Sequence, residues 1–291
     1  MGSKKMMLTA VLLVVLLAAV PVCAEGDYTD TAAVMRLGLG ARALGMGGAH
    51  IAVADDAAVI YYNPAGLGRL EEFSLTSMYS NQYGAGSYFG LGAAGMNLGA
   101  AVLRFGSSSI EETDEYGNPI GEFGVSETAA IAGYGRTVFS GLSVGGALKY
   151  YNQDLPGNSG SGFTADVGIL YELLEGKALV GLVGRNLFGS VSYASGLKDS
   201  FERSFGVGVS FTPMENLLVA ADAVMEDGLT GRVGLEYALR GVALRAGGSF
   251  GGESYLTMGA GFALENFRID YAYVHHRHLP DSHKISLSIA F

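Results

Sequence analysis

The chain has 291 residues, a formal net charge of −10, 49% hydrophobic residues and only 16% charged residues. This acidic balance argues against nucleic acid as a partner, because phosphate binding needs clustered lysine and arginine. The only cysteine, Cys23, lies in a segment that is expected to be removed, so a disulfide framework, thiol catalysis and a cysteine-ligated metal are excluded from the mature chain.

The first residues have the organisation of a secretory signal peptide. Lys4 and Lys5 form a short positive region, residues 6–20 are apolar, and small residues around Ala24 provide a cleavage site. The apolar run is shorter than the roughly 18 residues that a helix needs to span a bilayer. We therefore expect residues 1–24 to be cleaved near Ala24 and the mature chain to be exported.

Residues 25–72 do not alternate between apolar and polar positions, and we predict that they form an N-terminal plug. The glycine-rich stretch 38–48 formally matches a dinucleotide fingerprint, but no strand precedes it, so cofactor binding is not expected. Further along the plug, Asp55 or Asp56 can cap a short helical turn. His50 stands alone in the plug and is expected to be a hydrogen-bonded packing residue.

The second half of the plug carries a tight turn. A residue that precedes proline is disfavoured in the helical region, so the turn after Asp56 must end near Asn63. Asn63 and Pro64 then reverse the chain, and Gly66 is available for a positive φ. We expect Asn63, Pro64 and Gly66 to fix the shape of the plug.

From Phe73 onward the sequence breaks into segments of about 8 to 12 residues with period-two alternation, which is typical of outer-membrane strands. The predicted strands cover 73–83, 87–94, 96–106, 125–137, 141–151, 162–172, 177–186, 202–212, 215–226, 229–239, 241–250, 253–264, 266–276 and 281–291. The predicted fold is therefore all-β: a transmembrane antiparallel barrel of about fourteen strands over residues 73–291, closed around the plug.

The lengths of the connections support this division independently. Every second connection between predicted strands is short. The three longest connections all lie among the remaining ones, and they are Ser107–Gly124, Asn152–Ser161 and Leu187–Phe201. Bacterial barrels carry tight turns on the periplasmic rim and longer loops on the extracellular rim. Both ends of the barrel are therefore expected at the periplasmic rim.

The charged face of each strand is predicted to point into the lumen, because a charge facing lipid at the midplane costs about 2 to 4 kcal/mol. The predicted lumen charges are Lys149, Asp166, Glu172, Asp222, Glu226, Arg232, Glu236, Arg245, Arg268, Asp270 and Lys284. This mixed-sign set can pair across strands or with the plug. We expect Asp55 and Asp56 to tether the plug to cations such as Arg232, Arg245 or Arg268.

Other chemical signals are weak. His275, His276, His278 and His283 lie close together in the last outer loop, where a solvated hairpin tip is favoured over a metal site. Glycines in strands two and three (Gly90, Gly92, Gly95, Gly99) are interpreted as barrel bends, with a gap in the wall as the alternative. No catalytic constellation, metal or cofactor is expected, so the chain is not interpreted as an enzyme.

The plug motifs resemble a known family. The runs Gly40–Ala49, Ala52–Ala57 and Tyr62–Leu67 are similar to the PorV/PorQ family and, more distantly, to the FadL-type outer-membrane transporters. The resemblance implies a fourteen-strand barrel whose N-terminal hatch contains the Asn-Pro-Ala element. The loops here are shorter than in the larger members, which departs from the pattern and puts an elaborate cargo-binding surface in doubt.

Two functions follow from the resemblance. FadL-like members pass hydrophobic small molecules through the outer membrane when the hatch shifts, whereas PorV-like members bind exported protein cargo for type IX secretion. The expected partners are outer-membrane lipid, a hydrophobic ligand or secreted cargo, and the outer-membrane assembly machinery. The terminal aromatic residue, Phe291, is the expected recognition signal for that machinery.

Overall fold

The computed structural model describes residues 32–252, 254–277 and 279–291. The predicted signal peptide, the first plug residues and His278 therefore lie outside the described residues. Short helices occupy Ala33–Arg36, Ala41–Gly45, Val59–Tyr62 and Pro64–Gly68. No helix in the described part of the chain is long and apolar enough to cross a membrane.

Sixteen strands follow in the described residues, and fourteen of them form a closed barrel. In chain order they are β1 (Ser74–Gln82), β2 (Gly86–Gly95), β3 (Leu98–Thr113), β4 (Pro119–Phe139), β5 (Leu142–Asp154), β6 (Gly160–Leu173), β7 (Ala178–Arg185), β8 (Ser190–Tyr193), β9 (Lys198–Ser200), β10 (Ser204–Met214), β11 (Leu217–Glu226), β12 (Gly228–Leu239), β13 (Val242–Phe250), β14 (Tyr255–Leu264), β15 (Phe267–His276) and β16 (Ser282–Ala290). Strands β1–β7 and β10–β16 pair in sequence, and β1 closes the ring against β16. The predicted all-β antiparallel barrel is confirmed.

One predicted loop is wrong. The connection Ser107–Gly124 is mostly a hairpin, because β3 continues to Thr113 and β4 begins at Pro119. Ile110 and Phe123 are partners in this extension, and the next pair is Glu111 with Glu122. The extension carries polar residues on both faces, so it lacks the period-two signal that lipid contact imposes on a barrel wall. A second departure is the short hairpin β8–β9, which lies inside the predicted loop Leu187–Phe201 and pairs with β6.

The two faces of the wall differ as expected for a membrane barrel. On β16, Ile285 and Leu287 point outward and are 54% and 44% exposed, whereas Lys284 and Ser286 point inward and are 6% and 2% exposed. Large apolar side chains continue around the outer surface on the other strands. A continuous exposed apolar belt of this kind is what a lipid-facing wall requires, so the barrel has the outer surface of a membrane-spanning protein.

The short helices lie against the inner wall. The helix Ala41–Gly45 contacts β13 to β16, while the helix Pro64–Gly68 contacts β3 to β6. The helix Val59–Tyr62 contacts β2 to β4. Because these strands lie on different sides of the ring, residues 32–72 cross the lumen from one wall to another.

Inward-facing glycines make room for the plug. A Cβ atom at Gly90 or Gly92 would meet the side chain of Leu39 at 2.9 Å, and one at Gly99 would meet Leu67 at 2.6 Å. These contacts are too short for a real carbon atom, and β2 pairs without interruption with β1 and β3, so the glycines do not mark a gap in the wall. Their role is to let the plug approach the wall.

We expect Gly247→Val to unseat the plug while the barrel still assembles. A side chain at Gly247 would strike the backbone of Met46 and Gly47, and overpacking of this kind costs about 1 to 3 kcal/mol. Limited proteolysis of the folded protein should then cut residues 32–72 faster. Gly106→Val is the matched control, because nothing lies within 4 Å of that position. Equal protection of the plug in both variants would contradict the prediction.

Candidate functional site

The centre of the plug is held to the wall by a closed ring of six alternating charges. Its members are Arg42 and Asp56 from the plug, Glu236 from β12, Arg245 from β13, and Arg268 and Asp270 from β15. The successive contacts are Asp56–Arg42 3.0 Å, Arg42–Glu236 2.8 Å, Glu236–Arg245 2.5 Å, Arg245–Asp270 2.8 Å, Asp270–Arg268 2.9 Å and Arg268–Asp56 3.0 Å. We call this set the charge ring. Its three positive and three negative groups cancel, and two of its contacts, Arg42–Glu236 and Arg268–Asp56, join the plug to the wall.

Arg42 is the residue on which the charge ring depends, and sequence reasoning missed it. Its guanidinium is 6% exposed and donates to both oxygens of Glu236, each at 2.8 Å. The same group donates to Asp55 at 2.6 and 2.9 Å and to Asp56 at 3.0 Å. Bidentate pairs between arginine and carboxylate are among the strongest hydrogen bonds in proteins.

The predicted tether is therefore partly corrected. Asp56 contacts Arg268, which is one of the expected pairings. Arg245 bonds to Glu236 and Asp270 of the wall and not to a plug aspartate. Arg232 has no ion pair with either plug aspartate. Burial alone would raise the pKa of Asp56, but the neighbouring His50 and the positive charges of Arg42 and Arg268 hold that pKa well below its usual range.

Neither plug aspartate caps the helix Val59–Tyr62, whose N-cap residue is Ala58. The side chain of Asp56 accepts a hydrogen bond from the backbone N–H of Ala58 at 3.0 Å and so shapes the turn before the helix. Gly66 does not adopt a positive φ, which corrects that expectation. It lies in the helix Pro64–Gly68, where a Cβ atom would meet Val59 at 2.8 Å.

Asn63 joins the plug to the opposite wall. Its side-chain amide donates to the carbonyl of Ile51 at 3.0 Å and, at longer range, to carbonyls of Ile169 and Leu182. Its side-chain oxygen accepts from the backbone N–H of Ala65 at 3.1 Å and caps the helix that begins at Pro64. The extended backbone of Asn63, with φ −160°, is what a following proline demands.

Several other predicted lumen charges hold the plug backbone or the wall. Asp222 accepts from the N–H groups of His50 and Ile51 at 2.8 and 3.0 Å. Lys149 and Asp166 form a buried pair at 2.6 Å across β5 and β6. Two further plug arginines bind carboxylates of the wall: Arg69 pairs with Glu172 at 2.5 Å and Arg36 with Glu226 at 2.9 Å.

One group in the described residues could hold a metal ion. Ligand atoms of His50, Asp55 and Asp56 lie within 4.8 Å of one another, and neither ring nitrogen of the buried His50 has a hydrogen-bond partner. The guanidinium of Arg42 already bonds to both carboxylates, so a metal would have to displace it. The arrangement therefore favours an arginine-bridged tether over a metal centre.

The outer histidines do not converge on one point in the described part of the loop. His275 contacts Asp281 at 2.8 Å, His276 contacts the hydroxyl of Tyr83 at 3.1 Å, and His283 contacts the hydroxyl of Tyr271 at 2.6 Å. Each of these three outer histidines therefore has its own partner.

The plug separates two cavities. The outer cavity, about 390 Å³, lies at the loop rim and is lined by plug residues such as Leu37 and Leu44 and by wall residues such as Val274. The inner cavity, about 180 Å³, lies at the turn rim, and Asp56 and Arg268 of the charge ring line it. Plug residues and the charge ring lie between these two cavities.

Phe291 lies directly beyond β16 at the rim that carries the short turns. Its backbone N–H donates to the carbonyl of Phe73 at 2.9 Å, and the two rings are 6.0 Å apart. The two ends of the barrel therefore meet at this rim, and the side chain of Phe291 is 66% exposed.

Neither a protein-family model nor a curated protein matches the sequence. Solved structures do match the fold. The Pseudomonas putida toluene transporter TodX has a TM-score of 0.58 at 15% identity, covering 87% of this chain and 97% of that one. The CymD monoaromatic hydrocarbon channel has a TM-score of 0.58 at 16% identity, with the same two coverages. A Pseudomonas aeruginosa FadL homologue has a TM-score of 0.57 at 11% identity, covering 92% and 99%. This chain therefore has the fold of the FadL-type outer-membrane channels.

Proposed function

We propose that this protein passes hydrophobic small molecules across the bacterial outer membrane through a lumen that its plug gates. The observation that carries the proposal is the separation of an outer and an inner cavity by a plug that charged groups hold in place. A plug packed only by apolar contacts would have no defined release point. The charge ring provides one, because its two contacts between plug and wall, Arg42–Glu236 and Asp56–Arg268, must break when the plug moves.

The outer cavity offers an apolar surface beside charged groups, which include Glu226, Asp227, Arg232 and Lys284. Leu37, Leu44, Val274 and Leu279 line it together with Tyr255. Its volume falls in the range of small-molecule sites, which are mostly apolar with a few placed polar groups. Channels of similar fold are named for toluene and other monoaromatic hydrocarbons, and this supports the same class of solute here.

Passage needs no bond to be made or broken. A solute would leave water for the outer cavity, gaining about 25 cal/mol for each Å² of apolar surface removed from water. It would then reach the inner cavity when the helix Ala41–Gly45 shifts away from β13 and β14. Arg42 would lose Glu236 in that movement while keeping Asp55 and Asp56, which belong to the plug itself.

Filling the outer cavity tests the transport function. Ser249 is 2% exposed, points inward and lines this cavity. In cells that lack other hydrocarbon channels, we expect Ser249→Trp to lower the uptake of labelled para-xylene by about tenfold, because the indole occupies the site. Ser87→Trp, on the outward face of β2, should leave uptake unchanged. Uptake that matches cells without the protein, before any substitution, would refute the proposal.

The alternative is a PorV-like component of type IX secretion that binds exported cargo. The longest connection, 107–124, would offer such cargo the largest loop surface, and it is a regular hairpin with a five-residue turn at 114–118. No specific feature of the described loops favours cargo binding over transport. Stable co-purification of a secreted protein would reverse this preference.

A further inference from the structure

Lys284 is the one lysine of the described residues that is buried without an anion. It points inward from β16, is 6% exposed, and has no ion pair or hydrogen bond within the described part of the chain. Lys149 is equally buried, but Asp166 lies 2.6 Å from its Nζ, and Lys177 and Lys198 are exposed. An ammonium group buried without an anion is strongly unfavourable, and a neutral amine avoids that cost.

The carboxylates nearest to Lys284 belong to other contacts. Asp270, the inward-facing acid of the neighbouring strand β15, is bonded to the arginines of the charge ring. Glu226 and Asp227 line the same cavity as Lys284, but they lie on β11 and in the turn after it, five strands further round the barrel. Glu226 is also paired with Arg36 at 2.9 Å. Among the described residues, these acids therefore do not hold Lys284 as an ammonium ion.

The amine of Lys284 is open to small molecules, because the residue lines the outer cavity of about 390 Å³. The plug lies directly below it, since Ser286, the next inward residue of β16, accepts a hydrogen bond from the backbone N–H of Ala41 at 2.6 Å. Leu37 and Leu44 of the plug line the cavity as well and give it an apolar floor. A molecule that enters from the loop rim therefore reaches the amine without passing the plug.

We propose that Lys284 is a covalent capture site for small apolar aldehydes. A desolvated, neutral lysine is the form that attacks a carbonyl carbon, because an ammonium ion has no lone pair. Nζ adds to the carbonyl carbon, the π pair moves to the oxygen, and a proton passes from nitrogen to that oxygen to give a carbinolamine. Loss of the hydroxyl group with the second proton of the amine leaves an imine. Amine and aldehyde thus give imine and water, with no oxidant or reductant.

Gln82 is placed to assist this addition. Its side chain is 4% exposed and lines the cavity, and both of its amide atoms lack a hydrogen-bond partner. Gln82 lies two residues from Ser80, the direct partner of Lys284 on β1, and such diagonal neighbours are about 7 to 8 Å apart at their Cα atoms. Its N–H donates to the carbinolamine oxygen. The capture needs only entry into the outer cavity, so it goes beyond the proposed transport function and does not depend on it.

Reductive trapping tests this chemistry with para-tolualdehyde as the probe. The mature protein in lipid nanodiscs is incubated near neutral pH with the aldehyde and cyanoborohydride, which reduces an imine to a stable secondary amine. Mass spectrometry then measures the adduct at each lysine. Lys284 should be labelled at least about tenfold faster than Lys177 and Lys198, because an exposed lysine is almost entirely protonated at this pH. Lys149 should stay unlabelled, because Asp166 holds its ammonium form.

A matched pair of variants shows whether the missing anion causes the reactivity. Ser80→Asp places a carboxylate directly opposite Lys284 and should lower its labelling by about tenfold, whereas the isosteric Ser80→Asn should preserve it. A heat-dependent gel shift checks that each barrel is folded, and Gln82→Glu is the second variant if Ser80→Asp does not assemble. The inference is overturned, and transport left intact, if Lys284 is labelled no faster than Lys177. Equal labelling in Ser80→Asp and Ser80→Asn overturns it as well.

Discussion

Removing residues 27–62 should turn a nearly closed barrel into a conducting one. The deleted segment contains Arg42, Asp56 and the helices that fill the lumen, whereas Asn63 and the helix that begins at Pro64 remain on the wall. Barrels of eight strands are filled by their own side chains, but those of about sixteen leave a water channel. A fourteen-strand barrel without its plug should therefore conduct, and we expect an increase on the order of tenfold in planar bilayers.

The control for this deletion shortens the protein at a place that does not face the lumen. Replacing residues 111–122 with Asn-Gly removes the outer part of the hairpin between β3 and β4, and Asn-Gly is the preferred two-residue hairpin turn. Conductance of this variant should equal that of the full mature chain. If deleting residues 27–62 leaves conductance unchanged in a barrel that passes the gel-shift test, the plug does not close the pore.

The barrel could be predicted from sequence because lipid imposes a simple rule on each strand. Charged and small residues alternate with apolar ones only where one face meets hydrocarbon, so all fourteen strands were found, twelve of them to within a few residues at both ends. The rule ends at the membrane surface. This is why the hairpin Leu98–Phe139 was assigned too long a loop, and why the β8–β9 hairpin was not predicted.

The interior was harder to predict, since no periodic pattern governs how a plug meets a wall. Asp56 and Arg268 could be paired because their charges are opposite. Arg42 lies in a glycine-rich run without apolar and polar alternation, so the sequence does not indicate which way its side chain points. The glycines of the wall can be read from the sequence. Their role, however, depends on contacts with a segment about fifty residues earlier in the chain. Only the structure shows that Leu39 fills the space at Gly90 and Gly92.

Substituting Arg42 should release the plug more than any other single change. Removing one partner from a buried charge network costs about 3 to 5 kcal/mol, because the remaining charges stay buried without compensation. In Arg42→Met the carboxylates of Asp55, Asp56 and Glu236 lose their shared donor. The exposed population of the plug should rise by about two to nearly four powers of ten, measured as faster hydrogen exchange across residues 32–72.

Three comparisons decide whether the charge ring causes this release. Arg42→Lys keeps the charge but cannot bridge several carboxylates, so it should fall between the wild-type protein and Arg42→Met. Adding Glu236→Gln to Arg42→Met removes one stranded carboxylate and should slow the exchange again, while Arg277→Met in the outer loop should have no effect. If the double variant exchanges as fast as Arg42→Met, the plug is held by packing against the glycine-lined wall, and the charge ring sets its position without locking it.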